Sequence, residues 1–372
     1  MKNILIEIIK CLLKVFFVFP IKENVVLFSA YSGKSYSCNP KYITEEILRK
    51  NVNLDLVWAF IKPKEMGDLN DKIRTIRFKS LKYIYYSCTA KVIVDNVEGW
   101  SILPRRKNQY VINTWHGGGA YKGVGLQRKD SSAQTDRNMI RKNERVSIYL
   151  SSSRVFTELT LRNSFRFNGE VINCGMPRND ILIKNNLECK NMIKCKLNIE
   201  KTTKIVLFAP TFRHDTKYQY SLNYSVVLNA LKERFGGEWL LLVRAHYYVN
   251  EEMMDSRVAM NVSAYPDMQE LLLISDVLIT DYSSSIWDFS LMKKAGFLFM
   301  PDYNDYMDER SFYTPISEWP YPASFSMDDL VKSILNYEEQ SAVKKIEEHH
   351  KILGSYEDGR ATDIVVKKII EM

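Results

Sequence analysis

Hydrophobic and polar positions alternate along most of the chain in blocks that predict strands and helices in turn. Short apolar runs at 25–29, 54–60 and 91–95 predict buried strands, and the intervening stretches 40–50 and 81–88 predict helices. Strands that alternate with helices form βαβ units around a parallel sheet. Because the alternation continues through the chain, it predicts an α/β protein with two doubly wound sheets.

The remaining elements fall into two series, of which the second begins near residue 203. The first series continues with strands at 109–114 and 147–151 and a helix at 155–165. The second has strands at 204–209, 240–244, 258–262, 277–280 and 297–300 and helices at 224–235, 268–274 and 286–293. A length of 372 residues, against a typical domain of ~150, also favours two domains.

We expect the domains to span 23–180 and 181–350, with a C-terminal helix at 351–372 that crosses back onto the first domain. The linker between them is expected in the Lys- and Asn-rich stretch 184–204, or slightly earlier, at 175–177.

The first 22 residues have a pattern of their own. Residues 4–19 are almost continuously apolar, but Glu7, Lys10 and Lys14 recur at helical spacing and form a narrow polar stripe. A transmembrane helix needs about 20 apolar residues, and this stretch is shorter and charged. No small-residue cleavage site follows it. We expect residues 1–22 to form an amphipathic helix in the membrane interface; the alternative is that it packs on the protein's own surface.

Charge, cysteine content and the absence of known motifs limit the kinds of partner, metal and cofactor that we expect. Lys and Arg number 52 against 44 Asp and Glu, and the net charge of +8 favours an anionic partner. The six cysteines form no CxxC pair and no Cys/His ligand spacing, so we expect a reducing compartment and no structural zinc. The phosphate-binding motifs GxxxxGK[ST] and GxGxxG, the nucleophile elbow GxSxG and the metal-binding motif HExxH are all missing, and we expect no metal and no cofactor.

Ligands of doubly wound sheets bind beyond the carboxyl ends of the strands, and two such positions in the first half carry distinctive residues. His116 stands at a strand end, immediately before three glycines, where the backbone can approach an anion closely. A single histidine can equally be structural, but this placement favours catalysis. At 175–180, a Gly-Pro turn presents Arg178; the alternative is a surface turn.

The second half has three further strand ends of this kind. Pro210, Thr211 and Arg213 follow one strand, and Arg244 and His246 follow another on a common face, a spacing that suits a diphosphate. A third strand ends at Asp281, and serines 283–285 then open a helix that also contains Asp288. Helix N-termini favour phosphate, although serine is also a common helix cap.

Together these segments resemble the CDP-glycerol glycerophosphotransferase family of teichoic acid and capsule biosynthesis. The family's motifs stand in the same order in this chain: Asn39-Pro40-Lys41-Tyr42, Trp115-His116-Gly117, Gly175-x-Pro177-Arg178-x-Asp180, Ala209-Pro210-Thr211-Phe212-Arg213, Arg244-x-His246 and Thr280-Asp281-Tyr282-Ser283-Ser284 through Asp288. The resemblance implies a glycosyltransferase-B-like fold of two facing Rossmann-like domains. It also implies an acceptor domain over 23–180 and a CDP-glycerol-binding domain over 181–350.

The activity that the resemblance implies is transfer of glycerol phosphate from CDP-glycerol to a hydroxyl of a polyprenyl-diphosphate-linked saccharide, with CMP leaving. His116 is then the general base, and His246 is a second catalytic residue. The implied substrate-binding residues are Gly117, Gly118, Gly119, Ala120, Arg178, Pro210, Thr211, Arg213, Arg244, Ser283, Ser284 and Asp288. The length resembles that of short, primase-like members, and the implied location is the cytoplasmic face of the membrane, peripherally bound.

Departures from the family pattern leave the substrates open. Gly118 and Gly119 replace the usual Thr-Pro, Tyr247 replaces a Pro, and Ser311 replaces a Gly. CDP-ribitol, or another nucleotide donor used by a sugar transferase of the same fold, therefore remains as an alternative. The basic stretch 122–145 favours binding of an acceptor diphosphate or of an anionic membrane surface. The alternative is a solvent-exposed helix face without a ligand. Without an RNP-like strand or a helix-turn-helix signature, we expect no nucleic acid partner.

Overall fold

The computed structural model describes residues 2–67, 69–97, 100, 102–129, 131–211, 222–244 and 258–372, with the backbone alone for 2–5. The chain forms two compact units. Unit 1 comprises residues 1–116, 124–180 and 356–372, and unit 2 comprises residues 117–123 and 181–355. The chain therefore passes from one unit to the other more often than the two successive domains of the sequence prediction require.

Unit 1 is built on a parallel sheet. The described strands are β1 (Lys22–Ser29), β2 (Asp55–Phe60), β3 (Ile73–Arg77), β4 (Ala90–Asp95), β5 (Tyr110–Asn113), β6 (Ile148–Ser151) and β7 (Glu170–Asn173). Their order across the sheet is β3-β2-β1-β4-β5-β6-β7, and every pair is parallel. The order reverses between β1 and β4, as in doubly wound sheets.

Apolar strands and helices form the core of unit 1. The ring of Trp58 stacks between Phe28 and Phe60 at centroid distances of 5.6 and 5.4 Å. The helices of unit 1 are α1 (Lys2–Leu13), α2 (Cys38–Arg49), α3 (Leu81–Thr89), α4 (Ala133–Asn143), a π-helix (Phe156–Ser164) and α13 (Ala361–Ile370), with short 3-10 turns between them. Val365, Val366 and Ile369 of α13 are buried in the same core as Trp58.

Unit 2 contains a second parallel sheet. Its described strands are β8 (Lys204–Phe208), β9 (Trp239–Val243), β10 (Ala259–Asn261), β11 (Val277–Thr280), β12 (Ala295–Phe299) and β13 (Ala323–Ser324), in the order β10-β9-β8-β11-β12-β13. Its helices are α5 (Asp180–Lys184), α6 (Leu187–Lys196), α7 (Tyr224–Phe235), α8 (Met268–Ile274), α9 (Ser285–Ser290), α10 (Tyr303–Glu309), α11 (Met327–Leu335) and α12 (Glu339–Leu353). The two predicted doubly wound sheets are therefore present.

The stretch 184–204, where a linker is expected, contains α6, and the chain passes from unit 1 to unit 2 after residue 180. The Asn186 side chain caps the helix by accepting a hydrogen bond from the Cys189 amide at 3.1 Å. The Lys194 side chain is buried, and its amine donates to the carbonyl oxygens of Lys201 and Thr203 at 3.0 and 2.8 Å. A lysine used in this way weakens the apolar periodicity on which the sequence prediction relied.

The N-terminal segment forms α1 followed by a 3-10 helix, Lys14–Val18. Its outer face carries exposed apolar side chains, with exposed fractions of 51% for Ile8, 67% for Leu12 and 69% for Val15. Among the described residues, none of the helices combines the length and the apolar content needed to cross a bilayer.

Candidate active site

His116 of unit 1 lies at the strand ends where the order of the sheet reverses. The Tyr31 amide, just beyond β1, donates to the Asn96 Oδ1 at 2.7 Å, and Asn96 directly follows β4. The carbonyl oxygen of Asn96 lies 2.8 Å from His116 Nδ1. His116 is thus fixed beside the position at which doubly wound sheets bind their ligands.

The contact with Asn96 determines which ring nitrogen of His116 can accept a proton. A carbonyl oxygen can only accept, so Nδ1 of the neutral ring carries the hydrogen and Nε2 carries the lone pair. The ring is half-buried, edge-on to Tyr31 at 5.7 Å and beside Trp115 at 4.4 Å between centroids. This tautomer and orientation suit a general base that acts through Nε2.

An unusual turn places His116 there. Trp115 has a φ of +52°, in the left-handed region, and the Asn113 side chain supports the turn by accepting from the Trp115 amide at 2.8 Å. The buried Asn39 amide group donates to the carbonyl oxygens of Trp115 and Thr114 at 3.0 and 3.3 Å. A strained backbone of this kind persists only where its surroundings hold it.

Arg178 holds the backbone of His116. Its side chain is only 3% exposed, and Nη1 donates to the His116 carbonyl oxygen at 2.6 Å and lies 3.4 Å from Cys38 Sγ. The Arg178 amide donates to Asn39 Oδ1 at 3.0 Å. Asn39 and Arg178, predicted from separate motifs, therefore lie together behind the candidate base.

The glycines after His116 belong to unit 2, where they pack on an indole ring. A Cβ on Gly118 would lie 2.2 Å from Cδ1 of Trp287, and one on Gly119 would lie 2.6 Å from Cε2 of Tyr121. Gly119 also has a φ of +76° and Ala120 a φ of +53°. Close packing thus accounts for glycine at 118 and 119, apart from any role in binding an anion.

The strand ends of unit 2 are joined by hydrogen bonds at the corresponding reversal, between β8 and β11. The Thr211 amide donates to the Asp281 carboxylate at 2.8 Å, and the Thr211 hydroxyl donates to it at 2.6 Å. The Thr280 hydroxyl donates to the Ala209 carbonyl oxygen at 2.7 Å. Thr211 and neighbouring Pro210 are therefore held at a rigid edge of the sheet.

Four other predicted residues lie near the same edge. Ser283 Oγ accepts from the Ser285 amide at 3.2 Å and so caps α9, whereas the Ser284 side chain makes no capping bond. Asp288 is buried and accepts from Gln269 Nε2 at 2.9 Å. Arg244 Nη1 donates to the Tyr265 carbonyl oxygen at 2.8 Å. Arg213 and His246 lie outside the described residues.

Sequence reasoning missed the histidine pair of α12. His349 Nδ1 donates to the Glu318 carbonyl oxygen at 2.9 Å, and Nε2 accepts from the Tyr121 hydroxyl at 2.9 Å. Burial lowers the pKa of His349 to about 4 and that of His350 to about 3. Both rings are neutral and structural. Their spacing from the buried Ile346 and Leu353 was the signal that could have placed them on the inner face of the helix.

Residues 11–371 match the model of the family described as CDP-Glycerol:Poly(glycerophosphate) glycerophosphotransferase. The chain belongs to this glycerophosphotransferase family. The predicted resemblance is confirmed, and so is the predicted glycosyltransferase-B-like α/β class. Membership makes the chain a teichoic acid polyol-phosphate transferase or polymerase in the broad sense, acting on a CDP-polyol.

Two curated relatives and one set of solved structures illustrate the similarity. The chain is 30% identical to the teichoic acid poly(glycerol phosphate) polymerase of Bacillus spizizenii, over 99% of this chain and 98% of the relative. It is 27% identical to the teichoic acid ribitol-phosphate polymerase TarK of Staphylococcus aureus, over 94% of this chain and 68% of the relative. Some curated relatives are longer, and the chain spans 44% and 52% of two of them.

The solved structures are those of the wall teichoic acid polymerase TagF. A variant of TagF matches with a TM-score of 0.86 and 27% identity, over 100% of this chain and 95% of that chain. A TagF variant soaked with CDPG matches with a TM-score of 0.85 and 26% identity, over the same shares of the two chains.

Proposed function

We propose that the chain transfers a glycerol phosphate unit from CDP-glycerol to a hydroxyl of a polyprenyl-diphosphate-linked saccharide, in teichoic acid or capsule polysaccharide synthesis. The observation that carries the proposal is the hydrogen bond from His116 Nδ1 to the Asn96 carbonyl oxygen, which leaves Nε2 as the proton acceptor. Family membership and the named substrates of the relatives support the choice of donor.

In this reaction His116 Nε2 takes the proton of the acceptor hydroxyl. The hydroxyl oxygen attacks the phosphorus that bears the glycerol, a new P–O bond forms, and the P–O bond to the CMP phosphate breaks. CMP leaves with the bonding electron pair. Catalysis of such a transfer depends mainly on positioning and on stabilising charge around the phosphorus. Asn39 and Arg178, which hold the backbone at Trp115 and His116, keep the base in place.

We assign the donor to unit 2. Pro210, Thr211 and Arg244 lie at carboxyl ends of its strands, and Ser283, Ser284 and Asp288 lie at or within the start of α9. Arg213 and His246 complete this set in the sequence pattern. Gly117, Gly118, Gly119 and Ala120 remain candidates for contact through the backbone, since a glycine-rich loop exposes its N–H groups to an anion.

The proposed location is the cytoplasmic face of the cell membrane, with peripheral attachment. The support is the exposed apolar face of the N-terminal segment, which has Ile8 and Leu12 of α1 and Val15 of the following 3-10 helix on its surface. An amphipathic helix of this kind binds in the plane of the interface.

The test of the base is a pair of substitutions, His116→Ala and His116→Gln. We expect both to lower CMP release from CDP-glycerol by about 10²- to 10⁴-fold, because a general base contributes that much. Gln keeps a donor for the Asn96 carbonyl oxygen but cannot take the proton, so it separates positioning from proton transfer. CDP-glycerol binding, measured by calorimetry, should persist in both. Normal turnover by either variant would contradict the assignment.

Ribitol phosphate is the second candidate for the transferred group, because relatives named ribitol-phosphate polymerases match over 94% of this chain. Incubation with CDP-glycerol or CDP-ribitol and a short-chain lipid-linked disaccharide decides between them. A product mass increased by one glycerol phosphate supports the first candidate, and an increase by ribitol phosphate alone supports the second. Protection by a UDP-sugar in place of both donors would favour a sugar transferase.

A further inference from the structure

A cavity of about 340 Å³ lies in unit 1 beside the N-terminal helix α1. Its walls are formed by the N-terminal segment, the ends of β4 and β5, Trp100 with residues 103–105, and the end of α4. The charged lining residues are Lys10, Lys14, Arg105, Arg141, Lys142 and Arg145, together with Glu7, Asp95 and Glu144. Six cations minus three acids leave three positive charges in excess, and Trp100, Leu103 and Val111 supply apolar surface.

Two of the three acids are already satisfied by neighbouring groups. Glu7 Oε1 lies 3.3 Å from the Lys10 amine and 3.6 Å from Arg141 Nε. Asp95 Oδ1 accepts from the amides of Asn96 and Val97 at 2.8 and 3.2 Å, and burial raises the pKa of Asp95 to about 7. With Glu144 included, the acids still leave the lining with an excess of three formal positive charges.

Arg145 has a side-chain donor that the described residues leave without an acceptor. Its buried Nε has no hydrogen-bond partner among the described residues, and Nη2 reaches only the Ser87 carbonyl oxygen, at 3.5 Å. Burial lowers the pKa of Arg145, and the nearby Asp95 carboxylate offsets this loss of solvation only in part. A buried guanidinium is costly unless an anion pairs with it, and phosphate oxygens match its geometry.

The position of the cavity indicates the source of that anion. Lys10 and Lys14 of the N-terminal segment line the cavity, while Leu12 and Val15 are 67% and 69% exposed on its outer side. A helix with this division places its cations at the level of lipid phosphates when its apolar face enters a membrane. An anion carried by a membrane-bound molecule is therefore the ligand that fits.

The cavity also adjoins the candidate base. Asp95 and Asn113 line it, Asn96 follows Asp95 and accepts from His116 Nδ1, and Asn113 supports the Trp115 turn. The cavity and His116 therefore lie against the same two strand ends.

We propose that this cavity binds a phosphate or diphosphate group of the membrane-bound acceptor. The choice of the acceptor as the source rests on the proposed function, whereas the binding of a phosphate anion rests on the cavity alone. Bound there, the group would pair with Arg145 and with Lys10 and Lys14.

Cys11 provides a reporter inside the site, because it lines the cavity and is exposed, and exposed Cys195 of unit 2 is an internal control. The experiment measures the alkylation rate of each thiol by N-ethylmaleimide, mapped by peptide mass spectrometry. The probes are inorganic pyrophosphate, phosphatidylcholine vesicles, and phosphatidylcholine vesicles with one fifth phosphatidylglycerol. We expect an occupied cavity to slow alkylation of Cys11 by about tenfold, with Cys195 unchanged.

Two double variants test whether the protection of Cys11 depends on the cations of the cavity. The Lys10→Gln/Lys14→Gln variant should lose it, whereas Lys332→Gln/Lys344→Gln, which removes the same charge from exposed sites of unit 2, should keep it. An unchanged Cys11 rate without any probe shows that α1 remains folded in the variant.

The arms distinguish the sources of the phosphate. Protection by pyrophosphate supports binding of a free phosphate group, and protection by the anionic vesicles alone supports a phosphate that the bilayer presents. Protection by neither probe, equal protection by pure phosphatidylcholine, or equal protection of the Lys10→Gln/Lys14→Gln variant overturns the proposal. The alkylation experiment uses no CDP-glycerol, so it is independent of the test of the proposed function. If the protein releases no CMP from CDP-glycerol but Cys11 is still protected, the proposed function is refuted and the phosphate site is retained.

Discussion

Gly118 and Trp287 illustrate how a single residue serves the packing of unit 2. The atoms nearest to a Cβ at 118 are Cδ1, Nε1 and Cγ of the Trp287 indole, at 2.2, 2.6 and 2.8 Å. Trp287 is completely buried, so the ring has little room to move away. The glycine is thus required by contact with the five-membered part of the indole.

We expect Gly118→Ala to destabilise unit 2 by about 1–3 kcal/mol, the usual range for overpacking. Trp287→Phe removes the five-membered ring that a Cβ at 118 would strike. The double variant should therefore lose less stability than the sum of the two single variants. Urea unfolding of the three variants and the wild type measures this coupling. Strict additivity would mean that the contact with Trp287 is not the cause.

At the residue scale, the sequence was sufficient to single out His116 but not its surroundings. A histidine at the end of an apolar run is a local pattern. Its contacts are not local, because the Asn96 carbonyl oxygen is 20 residues away and the Arg178 side chain is 62 residues away. Arg178 was predicted to bind the donor, and nothing in the 175–180 motif indicates that its guanidinium also donates to the backbone carbonyl oxygen of His116.

Among the elements, α12 contains a pair of titratable groups that should make stability depend on pH. The pKa of His349 is lowered from 6.5 to about 4, so the unfolded chain binds a proton more readily than the folded one between these values. The stabilising contribution of the neutral ring is therefore complete above pH 6.5 and is lost as the pH falls towards 4.

We expect the melting temperature of the wild type to fall between pH 7 and pH 5, and His349→Gln to reduce that fall. The difference corresponds to about 2 kcal/mol at pH 5, from 1.36 kcal/mol per pKa unit. Between pH 7 and pH 8 both proteins should follow parallel curves, which serves as the control. An identical pH dependence in the variant would show that His349 does not contribute to the acid sensitivity.

The strands that the hydrophobic pattern did not predict were missed for one physical reason. β3 carries exposed Arg74 and Thr75 between two buried isoleucines, and β7 is partly exposed along its whole length. Both are edge strands, as is the short β13, which was also not predicted. At an edge, one side of the backbone and many side chains meet water, so the apolar runs that revealed the central strands are absent. Central strands such as β1 and β2 were predicted within a few residues because both of their faces are buried.

At the scale of the molecule, Asp180 ties the end of unit 1's second segment to its third. Its carboxylate accepts from the amides of Ala361 and Thr362 at 3.1 and 2.8 Å, at the start of α13. Nearby, Glu357 accepts from the Met176 amide at 3.0 Å. The 175–180 motif thus holds α13 against the rest of unit 1.

We expect Asp180→Ala to increase the hydrogen exchange of the α13 amides by about tenfold, since loss of such a cap costs about 1–2 kcal/mol. Asp180→Asn keeps one acceptor and should have a smaller effect. Exchange in α7 of unit 2 is the internal control and should not change. Unaltered exchange of α13 in the Ala variant would show that the apolar contacts of the helix suffice.

The division of the chain into units has a consequence for the order in which they are completed during translation. The chain crosses between units after residues 116, 123, 180 and 355. A ribosome synthesises all of unit 2 before it reaches residues 356–372, which belong to unit 1. Val365, Val366 and Ile369 are then still missing from the core around Trp58. The unit whose synthesis starts first is therefore the last whose core can close, which inverts the usual N-terminal-first order of domain folding.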